Sequence, residues 1–529
     1  MKHNVFGYLF VIFVILIMGF SIYKAKFDDK DNENNNKNTI NVNNAEKIGE
    51  ITLAIANLDS INPIITNNKQ VQNITKVVYD SLVNITADFK VQSALAKEWT
   101  TADGLSYVIK LRSGVKWSDG SNFTSNDVKF TIDRLKENTD SIYSENMSLV
   151  EEVDIIDDTT LRIILSEQVT KFEYYLNFPI MSSSYYSGVD FWDTEKNKAP
   201  ITTGRYKISE VTGSTIILEK NESWWNIKNE YTFINKININ LYSSLAELYN
   251  AFKLGNIDFI STNNNEYEKY IGTIGYNTTE IEGREFIFMA LNTQNQLLSD
   301  ANIRKSIRSA LNKDEIVSNV QGYSTANFML NTNSYLINRT DENYYNLAET
   351  SNTLTSMNWL MRNGVWQKSI NHEARKLEFN MVVKSSDSNR VEIAKNIRDQ
   401  LARQGILINL IGASEDEYNA YLENKNYDII LCSADLPVAP DLTTYFGGDN
   451  LANYNNEEIS EIMNAIRNIT DENELKARYQ RLYEIYNGEA PYIGIARNKI
   501  RVFTNVDFVG EIKSNWVNLF YGIKDWYKK

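Results

Sequence analysis

The sequence is poor in the side chains that most enzymes use. Cysteine occurs once, at Cys432, so no disulfide can form within the chain, and histidine occurs only at His3 and His372. A Ser-His-Asp or Cys-His arrangement would depend on His372 alone, and no G-x-S-x-G motif accompanies it. The zinc motifs H-E-x-x-H and C-x-x-C and the Gly-rich phosphate-binding motifs are missing as well. We therefore expect no enzymatic activity, no metal site and no cofactor.

Basic residues are also fewer than acidic ones. The 54 basic side chains against 68 acidic ones give a formal net charge of −14, which argues against nucleic acid, a partner that needs a basic surface. An acidic surface keeps a protein soluble and permits a cationic or zwitterionic ligand. Because two suitably placed carboxylates are enough for glycoside hydrolysis, an exported hydrolase stays open as a minor alternative.

The N-terminal segment predicts a membrane helix followed by a stalk. Residues 5–23 form an apolar run without charge, and 19 positions at 1.5 Å each approach the ~30 Å hydrocarbon layer. A cleaved secretory signal, which is the alternative, would need small residues where Tyr23 stands. We therefore favour a retained signal anchor over residues 1–26. The Asn-rich polar stretch 27–47 predicts a disordered stalk, and no cysteine near the anchor offers a site for lipid attachment.

The body that follows the stalk predicts an α/β protein of two or three lobes, because it is too long for one core. Short apolar or alternating runs are interleaved with helical periodicity. The predicted strands are 51–55, 107–111, 160–165, 376–383, 406–410 and 427–431, and the predicted helices are 71–83 and 390–404. The order strand, helix, Gly405, strand in the second half indicates a βαβ unit with parallel pairing.

A turn-rich segment begins at Trp117. Asp119-Gly120 predicts a turn, and a helix should follow it with its N-cap at Thr124 or Ser125 and with acidic Asp127 in its first turn. We interpret this segment as part of the scaffold and not as a ligand contact.

The same segment belongs to a set of motifs that resembles, in order and spacing, the extracellular solute-binding proteins of the oligopeptide, dipeptide and nickel type of ABC importer. The motifs are Asn62-Pro63-Ile64, Tyr79-Asp80-Ser81-Leu82, Leu95-Ala96-Lys97-Glu98-Trp99, Leu111 to Gly120, Asn126-Asp127-Val128-Lys129-Phe130, Thr203-Gly204-Arg205-Tyr206-Lys207, Phe252 to Asp258, Leu291-Asn292-Thr293, Ile303 to Leu311, Gln400 to Ile406, Tyr427-Asp428-Ile429-Ile430 and Pro491-Tyr492-Ile493. Each could arise by chance, but their common order along the body could not.

The resemblance implies an α/β, two-lobed periplasmic-binding-protein-like fold of the Venus flytrap kind, with an extra third domain in the first lobe. By analogy, lobe I takes residues 48–88, 202–292 and 505–529. The extra domain takes residues 89–201, and lobe II takes residues 293–504. Strands that cross between the lobes would form a hinge, and the ligand would be enclosed beside it.

The resemblance also implies a ligand site. Peptide binders of this family hold the ligand main chain as an added strand and clamp its α-ammonium with an aspartate. By position the clamp is Asp435, Ser433 and Ala434 would offer main-chain groups, and Cys432 stands where an aromatic residue is usual. The alternative for Asp435 is an ordinary turn or capping aspartate before Pro437.

The function that follows is capture of short peptides between the lobes and delivery to the permease subunits of an ABC importer. The protein would act as a monomer, held at the bacterial cell membrane by its N-terminal helix with its body on the extracellular side. For the cation that binds the ligand carboxylate, Arg284, Arg362 and Arg497 stay open. A membrane-anchored sensing or assembly module with the same fold is an alternative, as is a binder of a nickel complex, haem or glutathione.

Overall fold

The structure, a computed structural model, describes residues 49–145, 147–263, 275–339 and 343–529. The predicted signal anchor and stalk, with His3, lie outside the described residues. The described residues form one compact unit. Of the helices within the described ranges, none combines the length and apolar character that crossing a bilayer requires.

Strands, most of them short, are spread along the described residues. They are β1 (Glu50–Ala56), β2 (Val83–Ile85), β3 (Val91–Ser93), β4 (Ala96–Thr101), β5 (Ser106–Leu111), β6 (Val150–Asp157), β7 (Thr160–Leu165), β8 (Tyr206–Val211), β9 (Thr215–Lys220), β10 (Lys236–Tyr242), β11 (Phe259–Thr262), β12 (Tyr276–Leu291), β13 (Tyr323–Thr325), β14 (Leu360–Arg362), β15 (Val365–Ile370), β16 (Glu373–Lys376), β17 (Glu378–Lys384), β18 (Leu407–Ala413), β19 (Ile429–Asp435), β20 (Tyr492–Asn505), β21 (Phe508–Val509) and β22 (Tyr527–Lys528).

Helices lie between the strands. The α-helices are α1 (Lys69–Val78), α2 (Ser125–Glu137), α3 (Leu245–Lys253), α4 (Ala301–Ser309), α5 (Lys313–Val317), α6 (Leu347–Ser356), α7 (Ser388–Arg403), α8 (Glu415–Asn424), α9 (Thr443–Phe446), α10 (Glu457–Ile466) and α11 (Glu472–Glu489). Short 3₁₀ turns occupy Met147–Leu149, Phe172–Leu176, Glu195–Lys198 and Ile523–Asp525.

Two four-stranded sheets share one apolar core. The first has the order β1-β10-β9-β8, in which β1 is parallel to β10. The second has the order β4-β5-β7-β6, is antiparallel, and lies in the segment predicted as the extra domain. Leu53 and Ile239 of the first sheet and Ile109 and Ile163 of the second are buried in the same cluster. The two sheets therefore belong to one hydrophobic core.

A seven-stranded sheet buries a core on each of its faces. Its order is β11-β20-β12-β19-β17-β18, and β13 pairs with β20. Strand β17 is parallel to both β18 and β19, and α7 connects β17 to β18, which confirms the predicted βαβ unit. Because side chains alternate along a strand, Phe288 and Ile430 face one core while Met289 and Leu431 face the other.

Most of the predicted elements are present. The strands predicted at 51–55, 107–111 and 160–165 are confirmed as β1, β5 and β7, and the Thr124–Asp127 capping box opens α2. The predicted helix 71–83 is wrong at its C-terminal end. Helix α1 ends at Val78 because Tyr79 is extended, and Ser81 then forms a β-bridge with Pro179.

Two long antiparallel strands, β12 and β20, connect the cores. Near one end, Ile281 of β12 and Val502 of β20 are buried with the four-stranded sheets. Near the other end, Phe288 and Tyr492 are buried with the seven-stranded sheet. The two strands thus pass from one lobe into the other. The predicted limits of the lobes and of the extra domain stay a prediction.

A β-bulge interrupts these strands between the two cores. Residues 283–285 of β12 lie opposite Asn498 alone. A side chain at Gly283 would overlap the Asn498 side chain, whose Oδ1 accepts the N–H of Glu285 at 3.0 Å. A bulge redirects the side chains that follow it. Here it directs Arg284 and Glu285 into a cavity beside the strands.

A carboxylate, Asp80, lies just beyond the end of α1. It accepts hydrogen bonds from the indole N–H groups of Trp224 at 3.1 Å and Trp225 at 2.9 Å. Burial raises the pKa of Asp80 to about 7, although the two indoles and the guanidinium of Arg205 lower it. The folded protein therefore holds a proton here that the unfolded chain releases at lower pH.

We expect Asp80→Asn to be more favourable for stability, compared with the parent, at pH 8 than at pH 4.5. As pH rises from about 4 to 7, unfolded Asp80 ionises while folded Asp80 stays protonated, so the free energy of unfolding of the parent falls; asparagine has no such loss. Between pH 4.5 and pH 8, the free energy of unfolding of the variant should rise relative to that of the parent by on the order of 2 to 3 kcal/mol. Chemical denaturation at both pH values measures it, with the exposed Asp193→Asn as control. A difference that does not depend on pH would contradict the raised pKa.

Candidate functional site

A cavity of about 370 Å³ lies beside the bulge. Its walls come from α1, from the crossing strands β12 and β20, from the end of β19, and from residues 142–145, 174–177 and 516–519. The volume falls within the range of about 300–1,000 Å³ that is usual for small-ligand sites. It therefore suits a ligand of a few residues or of similar size.

Contacts away from the crossing strands also join the two cores next to this cavity. The N–H of Tyr335 donates to the carbonyl of Asp88 at 3.0 Å, and Lys90 forms an ion pair with Glu472. Tyr174, which lines the cavity, donates through its hydroxyl to the hydroxyl of Tyr335 at 3.4 Å. The lobes consequently enclose the cavity on this side.

Two residues with carboxylate side chains are opposite each other on neighbouring strands of the cavity wall. Asp435, the last residue of β19, is paired in register with Glu285 of β12, and both line the cavity. Glu285 accepts a hydrogen bond from the Tyr323 hydroxyl at 2.8 Å, whereas Asp435 has no hydrogen bond or cationic partner among the described residues. Carboxylates directly opposite each other on neighbouring strands repel. A cation between them would remove that repulsion.

The edge of β19 is open where it approaches the cavity. Its pairing with β17 ends at Leu431, while its pairing with β12 continues to Asp435. The N–H of Leu436 donates to the carbonyl of Arg284 at 3.0 Å, so in the alternating antiparallel pattern the main chain of Ala434 also faces β12. The main-chain groups of Ser433 and Asp435 face the opposite side, where no strand of the described residues pairs with them.

Cys432 lies away from the cavity. Its side chain is buried in a hydrophobic core and its sulfur accepts a hydrogen bond from the Tyr418 hydroxyl at 3.3 Å. Burial raises the pKa of Cys432 to about 11. The four residues predicted to bind ligand thus lie in different places. Asp435 lines the cavity, and Ser433 presents its main chain at the open edge. The main chain of Ala434 faces β12, and the Cys432 side chain packs in the core.

The three arginines proposed for the ligand carboxylate are separated in the structure. Arg362 is exposed on β14, and Arg497 is buried with Glu282 3.0 Å from its guanidinium. Arg284 alone of the three lines the cavity. Its Nε donates to the carbonyl of Leu436 at 2.6 Å, and its Nη2 lies 3.2 Å from Glu145. Arg284 is therefore already paired within the protein.

Sequence reasoning missed the polar face of α1. Lys69, Gln72, Asn73 and Lys76 are three or four positions apart, so they share one face of the helix, and that face lines the cavity. The ammonium of Lys76 lies 4.7 Å from the ring centroid of Tyr143. Burial lowers the pKa of Lys76 to about 7. The helical period was visible in the sequence, but the polar side of a surface helix usually faces only water.

These features define a class of protein: two lobes joined by crossing strands, with a charged cavity between them that suits a small ligand. Within the described ranges, no group of three or more His, Cys, Asp or Glu side chains is placed to hold a metal ion.

Comparison with known proteins gives the family. Residues 90–453 match the model of the bacterial extracellular solute-binding proteins, family 5, middle region. The chain is 22% identical over 473 residues to the oligopeptide-binding protein AppA of Bacillus subtilis, with 84% of each chain covered.

Solved structures agree in fold. MppA, a periplasmic murein tripeptide binding protein in its unliganded open form, is similar with a TM-score of 0.76 and 17% identity over 92% of this chain and 98% of its own. NikZ from Campylobacter jejuni, in complex with Ni(L-His), is similar with a TM-score of 0.57 and 21% identity over 91% and 99%.

The chain belongs to the family 5 extracellular solute-binding proteins. The predicted family and the two-lobed α/β fold with an extra domain are thereby confirmed. The same membership confirms that the protein is a binding component of an importer and not an enzyme, and that its body belongs to an extracellular family.

We expect Cys432 to react slowly with a thiol reagent in the native protein. Its burial and raised pKa leave little accessible thiolate at pH 8, so labelling by a chromogenic disulfide should be on the order of 100-fold slower than in denaturant. The double variant Cys432→Ala, Ser433→Cys is the matched control, because it moves the thiol one residue toward the open edge and should react faster. Rapid labelling of native Cys432 would show that its side chain is accessible.

Proposed function

We propose that this protein binds short peptides between its lobes and delivers them to the permease of an ABC importer. The observation that carries the proposal is the carboxylate pair of Asp435 and Glu285, which lies in the cavity beside the open edge of β19. An extended peptide supplies what this arrangement lacks, because it brings a cationic amino terminus together with main-chain donors and acceptors.

The peptide ammonium would lie between the two carboxylates. Asp435 is without a cationic partner among the described residues, and Glu285 holds only the Tyr323 hydroxyl. A charge-assisted hydrogen bond of this kind contributes about 1.5–3 kcal/mol. A neutral ligand would leave the repulsion between the two side chains in place.

The peptide main chain would continue the sheet. Ser433 and Asp435 are the residues of β19 whose main-chain groups face the open edge, so they are the ones we assign to the ligand. Such pairing is independent of ligand side chains, which suits a binder of many peptides. We assign no ligand contact to Ala434, whose main chain faces β12, or to Cys432, whose side chain is buried.

Ligand binding would favour the closed arrangement of the lobes. The cavity is shared by α1 on one side of the bulge and β19 on the other, so a ligand that touches both favours the state in which they are close. A ligand shifts this equilibrium only by its difference in affinity for the two states. The charged groups are the source of that difference.

At the membrane, we propose a monomer held by residues 1–26, with residues 27–47 as the spacer. The uncharged run over residues 5–23 supports the anchor. Such a tether would keep the body close to the permease and raise its effective concentration there.

We expect native mass spectrometry of the full chain to show bound peptide after incubation with a mixture of di-, tri- and tetrapeptides. In calorimetry with trialanine, N-acetylation of the peptide should weaken binding about 10- to 100-fold, because it removes the ammonium. Asp435→Asn should weaken binding of the free peptide by a similar factor and abolish the effect of acetylation. Glu285→Gln should do the same to a smaller degree.

The matched control is Asp416→Asn, an exposed carboxylate at the start of α8, which should bind like the parent. Glutathione, a nickel–histidine complex and haem should be titrated in the same assay. If one of them binds while no peptide in the mixture does, the proposed peptide ligand is wrong.

The anchor has its own test. We expect the protein to sediment with the membrane fraction of the cells that produce it, and we expect the mature chain to begin at or near Met1. An N-terminus near residue 26 together with recovery from the medium would instead identify a cleaved signal.

A further inference from the structure

The cavity contains a second set of polar groups that the proposed ammonium site does not use. Arg284 is paired with Glu145 and with the carbonyl of Leu436, which accounts for one cation and one carboxylate of the cavity wall. The remaining charged groups are then Glu285 and Asp435 on the sheet and Lys69 and Lys76 on α1. Negative and positive charges are therefore left over on different elements.

Lys76 is the half-buried cation among these, and it lacks a protein partner in the described part of the chain. Among the described residues its ammonium has neither a carboxylate nor a hydrogen-bond acceptor, and it lies 4.7 Å from the centroid of the Tyr143 ring. A cation over an aromatic face is stabilised only modestly compared with an ion pair. An ammonium that is half removed from water and has no counterion is destabilised, so an anion from outside the chain would stabilise it.

Tyr143 provides an independent observation. Its hydroxyl is buried and has no hydrogen-bond partner in the described part of the chain, although it belongs to a cavity residue. Buried hydroxyl groups in folded proteins are nearly always satisfied, and one that is not satisfied needs an explanation. Because the ammonium lies over the same ring, one small anion can accept hydrogen bonds from both groups.

We propose that Lys76 and Tyr143 form a subsite for a carboxylate of the ligand, so that the ligand is a zwitterionic peptide bound through charges at two places. The inference rests on the proposed peptide-binding function and adds the chemistry of the ligand's second end. The carboxylate comes from the C-terminus or from an acidic side chain, and the two sources have the same chemistry at the site.

The experiment compares three probes by calorimetry on the full chain. They are trialanine, its C-terminal amide, and the amide of Ala-Glu-Ala. We expect the parent to bind at least one of the two carboxylate-bearing probes about 10- to 100-fold more tightly than trialanine amide. Preference for trialanine identifies the terminal carboxylate, and preference for Ala-Glu-Ala amide identifies the side-chain carboxylate.

Variants then test the two residues. Lys76→Met should bring the ratio of the affinity for the carboxylate-bearing probe to that for the amide close to one. Lys76→Arg should retain most of this ratio because the charge is kept. Tyr143→Phe should lower the ratio about 3- to 10-fold through loss of one hydrogen bond. Lys253→Met, at the exposed end of α3, is the control and should leave the ratio unchanged. A merely structural role for Lys76 would weaken all probes alike and leave the ratio intact.

The outcomes separate this inference from the function on which it rests. If the parent discriminates free from acetylated amino termini but binds acid and amide equally, the subsite is rejected and peptide binding stands. The subsite is equally rejected if Lys76→Met retains the preference of the parent. If no probe binds at all, the proposed peptide function fails, and the subsite fails with it.

Discussion

The architecture depends on the passage of β12 and β20 from one hydrophobic core into the other. Each strand contributes buried side chains to both cores, so neither lobe can be completed without it. The bulge at residues 283–285 stands between the cores, where the ladder is interrupted and neither core holds the chain. Rotation between lobes costs least at such an interruption, because fewer regular hydrogen bonds have to change. The same bulge directs Arg284 and Glu285 into the cavity, so the interruption of the ladder also forms part of the cavity wall.

The charges of the cavity connect ligand capture to this hinge. Asp435 and Glu285 lie on the sheet, while Lys76 lies on α1 and Tyr143 follows α2. In an open state water screens each group, and bringing the lobes together without ligand removes that water from the carboxylates and from the ammonium. In the proposed function, a zwitterionic ligand would offset this loss of water, because its ammonium would pair with the carboxylates and its carboxylate with Lys76. The closed state would then be favoured when a ligand with both charges fills the cavity.

Much of the fold was accessible from the sequence because it follows from local periodicity. The alternation in β1, β5 and β7, and the strand, helix, Gly405, strand order around α7, are short-range patterns, and the structure confirms them. The helix predicted to continue to residue 83 shows the limit of such reasoning. Its last residues have helical periodicity, but the bridge between Ser81 and Pro179 is a contact across 98 positions that no local pattern encodes.

The site was harder to predict from the sequence, because it too depends on contacts between distant segments. Asp435 was proposed through family resemblance, and the structure places it in the cavity wall, while its role as a ligand residue stays a prediction. Glu285 was missed because its relation to Asp435 depends on the register between two strands 150 positions apart. Lys76 was missed because its polar neighbours on α1 suggest a solvent-facing surface. In both cases the informative fact is which side chains lack a partner, and that is a property of the folded structure.

Charge at the ends of a ligand and hydrogen bonds along its main chain select differently from side-chain pockets. In the proposed function, the open edge at Ser433 and Asp435 would pair with any peptide backbone, so it would add affinity without distinguishing sequences. The two proposed subsites of opposite charge would instead select for the separation between a peptide's charged groups. A peptide that is too short cannot reach both, and one that is too long has to bend within a cavity of about 370 Å³. Selection by length and by terminal charge, with broad tolerance of sequence, would follow from this proposed arrangement.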